Sequence, residues 1–120
     1  MEDQPREYQP RVHRDLRADH AGIAEAYHLL GDGCRHAGPL TEREQRLVKL
    51  GVAAGLSSSR GVRSHVRRGL DEGLSRDELL HAIAIAIPTI GLPATAAAYR
   101  WAQEVPELPD EDPASEPGGA

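Results

Sequence analysis

Acid–base, anion-binding and thiol chemistry each have a candidate in this sequence, and the candidates are few. A histidine titrates near ~6.5 and can move a proton at neutral pH. His65 falls on an apolar stripe with Val62, Val66, Gly69 and Leu70. It reads either as a core histidine with one hydrogen bond or as a proton carrier. His81 is the only strongly polar side chain between Leu79 and Ile87, which predicts a buried partner or a cleft. Two rings facing each other would make a proton-transfer pair or half a metal site. Zinc needs further ligands, and none stands out, so neither metal nor cofactor is expected. Arg46 and Arg63 are the candidate anion holders, since a guanidinium binds carboxylates with two parallel donors.

Cys34 lies beside Arg35 and His36, a setting that favours a thiolate; the plainer reading is a small residue near a helix end. It is the only cysteine, so an intrachain disulfide and a dithiol redox cycle are excluded. Ser57, Ser58 and Ser59 match no Ser-His-Asp spacing and read as helix caps. The net charge of −5 argues against nucleic acid, which demands clustered cations. The local run Arg60, Arg63, Arg67 and Arg68 reads as a solvated helix face.

The elements that must position these residues are helices. A core without Phe, built from Ala, Leu, Ile and Val, suits closely packed helices better than a sandwich or barrel. Periodicity predicts a first helix over about 12–34, weakened by Gly22, Gly31 and Gly33 and broken near Gly31. Thr41-Glu42-Arg43-Glu44 is a capping box that starts a second helix, with Leu47, Val48, Leu50 and Val52 on its apolar side and an end near Gly55. A third runs over about 58–72 and stops at Gly73 in a left-handed cap. Ser75-Arg76-Asp77-Glu78 is another capping box, opening a fourth helix that is apolar almost all round to Ile87 and is kinked or ended by Pro88. A last helix opens at Pro93 and carries Tyr99 and Trp101 as packing or interface anchors.

The sum is one all-α domain of five to six helices over 11–105, between a flexible N-terminal arm (1–10) and a disordered acidic, Pro-rich tail (106–120). The apolar stretch from Leu79 to Leu92 is too short to span a bilayer. The opening MEDQPREYQP has no apolar signal core, so a cytoplasmic, non-membrane protein is expected.

Three segments, taken in order, resemble the carboxymuconolactone decarboxylase-like family, which includes the AhpD-type alkylhydroperoxidases. GPLTEREQRLVKLGVAAG looks like its opening core helix. SHVRRGLDEGLSRDEL looks like its His-containing helix, Gly stop and Ser-capped acidic restart. AIAIAIPTIGLPATAAAYRWA looks like its closing apolar helix, Gly-x-Pro turn and final Ala-rich helix. The resemblance implies a compact AhpD-like fold that assembles as a homo-oligomer, commonly a trimer or hexamer, with sites near subunit contacts.

In the peroxidase branch two cysteines precede the family histidine by seven and four positions. Counted from His65, those positions hold Ser58 and Gly61, and the branch's upstream acidic residue falls at Arg46. Without a thiolate and a resolving thiol this chemistry fails. The decarboxylase branch, which does not use the pair, resembles this chain in His65-Val66-Arg67. It implies a cofactor-free lyase acting on a small anionic lactone or carboxylic acid with His65 at its site; from the residues' own chemistry His65 would supply the proton, His81 is the second catalytic candidate, and Arg46 or Arg63 would hold the acid. A non-catalytic oligomeric binding or scaffold member is the alternative. A peroxidase relying on Cys34 ranks last.

Overall fold

The computed structural model describes residues 11–106, so the expected arm over 1–10 lies outside the described residues, as does all but the first residue of the expected tail. The described chain falls into two compact units, 11–41 and 42–106. Among these residues every regular element is helical, which is the expected all-α class. None of the helices is long and apolar enough to cross a membrane.

The first unit is a pair of helices, α1 (Arg11–Asp19) and α2 (Ala21–Arg35). The expected break near Gly31 is instead at His20, whose backbone leaves the helical region (φ −142, ψ 73). Gly31 and Gly33 remain inside α2: a helical glycine costs only ~1 kcal/mol relative to alanine, which weakens a helix without ending it. Neither helix contains a buried residue. Ile23, Tyr27 and Leu30 leave more than half of their surface in water.

The second unit holds the core. It comprises α3 (Glu42–Gly55), α4 (Ser59–Asp71), α5 (Arg76–Ala84), the single turn α6 (Ile87–Ile90) and α7 (Leu92–Gln103). Leu50, Ala53 and Ala54 of α3 meet Val62 and Val66 of α4, Leu79 and Ile83 of α5, and Ala98 and Ala102 of α7. Small residues let these axes approach closely. A Cβ added at Gly69 would stand 2.7 Å from a methyl of the fully buried Leu79. Tyr99 and Trp101 pack half-buried against this core.

Local signals set most helix ends. Gly73, at φ 98, closes α4 by the six-to-one and five-to-two bonds of a Schellman cap: Leu74 N–H donates to Gly69 C=O (2.9 Å) and Gly73 N–H to Leu70 C=O (3.1 Å). Ser75 and Glu78 then form the expected reciprocal capping box of α5. Arg76, in the first turn of α5, donates to the carbonyls of Ala102 and Val105 and so closes α7.

Three expectations fail on the surface. Val48 and Val52, placed on the apolar side of the second helix, are more than half exposed; the inward face follows Leu50, Ala53 and Ala54. The fourth helix, expected to reach Ile87 and to be kinked or ended by Pro88, already stops at Ala84, and Pro88 lies in the first turn of α6, because proline tolerates the first turn of a helix but not its interior. Ile85 and Ile87 are therefore left exposed. The arginine run is not one solvated strip either: Arg60 is exposed, whereas Arg67 is only 9% exposed and counts among the buried residues.

Candidate active site

The first turn of α4 shows what Ser58 and Gly61 do in this fold. Ser58 sits in an extended conformation and its Oγ accepts the N–H of Gly61 at 2.9 Å. A Cβ at Gly61 would lie 2.8 Å from that oxygen and 3.2 Å from the Ala53 methyl. Ser58 and Gly61 are thus a helix cap, with the second position closed to any side chain while Ser58 and Ala53 stay where they are. Cys34 is exposed on α2.

His65, two turns into α4 from Ser58, is half-buried and held by one contact. Its Nδ1 lies 2.8 Å from Nη1 of Arg46 on α3. The rest of that guanidinium is taken by Glu72: Nε donates to Oε1 at 2.9 Å and Nη2 to Oε2 at 2.7 Å. A carboxylate, a guanidinium and an imidazole therefore form one chain of charge-assisted hydrogen bonds.

This order decides the state of the ring. A guanidinium has donors only, so Nδ1 must be the acceptor, and the neutral ring carries its proton on Nε2. Burial pushes the pKa of His65 down to about 4, and the positive charges of Arg46, Arg68 and Lys49 push the same way, opposed by Glu72. At neutral pH the ring is uncharged. The ordinary pKa on which His65 was expected to supply a proton does not hold here: the ring is a neutral N–H donor. The positive charges of Arg46, Arg68 and Lys49 felt at the ring would also favour an approaching anion.

The other expected site residues lie elsewhere. Arg63, on α4, donates from Nη2 to Glu104 Oε1 at 2.7 Å, just beyond the end of α7. His81 is exposed on α5. It borders a shallow apolar depression between α3 and α5, lined by Leu47, Val48, Gly51, Glu78, Ala82 and Ile85. Glu78 there pairs with Arg43, and its carboxyl is held below the usual carboxylate range, first by the Ser75 backbone N–H. His65 and His81 thus occupy separate surroundings. Among the described residues, no group of three His, Cys, Asp or Glu side chains converges as metal ligands would.

Sequence reasoning brought His65 and Arg46 forward but missed Glu72. A signal existed: Glu72 follows His65 by seven residues, two helical turns, which sets both on one face. Lys49 follows Arg46 by three on α3, and Arg68 follows His65 by three on α4, so each cation shares a face with a member of the chain. A family model, that of the Carboxymuconolactone decarboxylase family, matches residues 21–104. No curated protein matches the chain.

Proposed function

This chain belongs to the carboxymuconolactone decarboxylase family, and from that premise we propose that it is a cofactor-free lyase that removes CO2 from a small anionic lactone acid. When the carbon–carbon bond to a carboxylate breaks, CO2 leaves without the bonding electron pair. In a conjugated lactone that pair moves onto the carbonyl oxygen as an enolate, and water then supplies the proton that carbon takes up. The catalytic need is a donor fixed beside the oxygen that becomes negative. His65 meets it through Nε2–H. A neutral imidazole serves better here than an imidazolium, because it polarises the oxygen without adding a charge that must be desolvated.

The observation that carries this reading is the hydrogen bond from Arg46 to Nδ1, which fixes the donor on Nε2. The field of Arg46, Lys49 and Arg68 supports an anionic substrate. His65→Ala should lower the rate of CO2 release by about 10²–10³, the usual loss for one such donor, whereas His65→Gln, which keeps an N–H donor, retains a measurable part. Full turnover in His65→Ala sinks the proposal. His81, on the α3/α5 depression, is assigned no step.

A non-catalytic oligomeric member is the second reading. It is favoured by the engagement of both candidate anion holders with internal carboxylates, Arg46 with Glu72 and Arg63 with Glu104. Under either reading the protein assembles from several copies, a proposal supported by the exposed apolar side chains of α2 and by Val48, Val52 and Ile85. Sedimentation of the purified chain as a monomer would refute it.

A further inference from the structure

Glu72 is an odd partner for a largely buried guanidinium. The Arg46 side chain is only 12% exposed, whereas that of Glu72 is 41% exposed. The carboxylate belongs to the C-cap residue of α4, directly before Gly73 at φ 98. One member of the pair is thus built into the helices, and the other stands in water at a helix end. Glu72 also grips the guanidinium through Nε and Nη2 together, the two-donor edge that matches a planar carboxylate. The remaining nitrogen, Nη1, is committed to His65, so the edge stays aimed when its carboxylate departs.

We propose that Glu72 is a displaceable stand-in for a ligand carboxylate: the acid takes the Nε/Nη2 edge of Arg46, Glu72 swings into solvent, and the ligand lies beside His65. The inference rests on the lyase reading only for the identity of the ligand as substrate; the carboxylate site itself rests on the geometry. The exchange replaces one bidentate pair by another of the same kind, and the charges of Lys49 and Arg68 around His65 still attract the newcomer. An internal competitor lowers apparent affinity by the fraction of time the edge is open. Glu72 thereby makes the site selective for acids that bind by more than a lone carboxylate.

The test uses maleate, a planar dicarboxylate, titrated into the full chain and followed by calorimetry and by the ring signals of His65. Glu72→Gln removes the charge. Glu72→Asp keeps it but is one methylene too short to hold both nitrogens of Arg46 from the same backbone position. Both variants should bind maleate about two- to fivefold more tightly than wild type, the range expected when a partly exposed ion pair no longer competes. The gain should vanish when Arg46→Lys is added to Glu72→Gln. Tightening in Glu72→Gln alone means charge without displacement and overturns the inference, as does maleate that binds none of the proteins or a gain that survives Arg46→Lys. CO2 release is measured separately. Tighter binding in both variants with no turnover from any protein sinks the lyase reading and leaves the carboxylate site standing; turnover with unchanged maleate affinity does the reverse.

Discussion

Protonating His65 should cost this fold stability, and the cost can be isolated. The ring has a pKa of about 4 in the folded protein against 6.5 for the model residue, so the unfolded chain binds this proton more readily. Stability is complete above about pH 6.5 and is lost as pH falls toward 4. At ~1.4 kcal/mol per unit, the full shift would amount to about 3 kcal/mol. The ring is partly open to water, so screening reduces this to about 1–2 kcal/mol. His65→Gln removes the titration while its amide oxygen can still accept from Arg46. Urea unfolding followed by Trp101 fluorescence, at steps from pH 7.5 to 4, gives both curves. Carboxylates such as Glu78, held low by its cap, also lose stability as pH falls, but they do so equally in both proteins. Wild type should therefore lose about 1–2 kcal/mol more than His65→Gln across that window. Parallel curves, or a ring that titrates at 6.5 or above by NMR, would refute the assignment of Nδ1 as acceptor from Arg46.

The same state of the ring places the acid limb of kcat/KM for CO2 release near pH 4; a limb near 6.5 would mean that an unburied histidine does the work. Leu79→Ala, at a side chain with no exposed surface, should lower the unfolding free energy by about 2–5 kcal/mol through the cavity it leaves, read by urea denaturation. Ser75→Ala breaks the reciprocal cap of α5 and should lower stability by about 1 kcal/mol, measured the same way. Cys34→Ser should leave CO2 release unchanged and neither protein should consume an organic hydroperoxide; peroxide turnover lost in the variant would restore the thiol chemistry rejected above.

Much of the fold was legible in the sequence because its signals are local. A capping box spans four residues, and Ser75 with Glu78 closes as written. Gly73 ends α4 because a left-handed residue is needed there and glycine adopts that conformation without a Cβ penalty. Breaks without such a signal were misplaced: α1 ends before His20, not at Gly31, since three glycines in a helical pattern weaken it without saying where it stops. Val48 and Val52 were misassigned for a related reason. Alternation of apolar residues on α3 does not say which stripe meets α4 and α5, and Ala53 and Ala54 win because small side chains allow closer axes.

By itself the chain's order of residues determined the helical class, the family and the presence of a single cysteine, and it singled out His65 as a candidate. Only the tertiary structure decided what His65 is. Its partner Arg46 comes from another helix, nineteen residues earlier, and the carboxylate that holds Arg46 comes from the far end of α4. Protonation state depends on burial and on charges gathered across space, so no spacing along the chain could have shown that this histidine is neutral, with its proton turned away from the arginine.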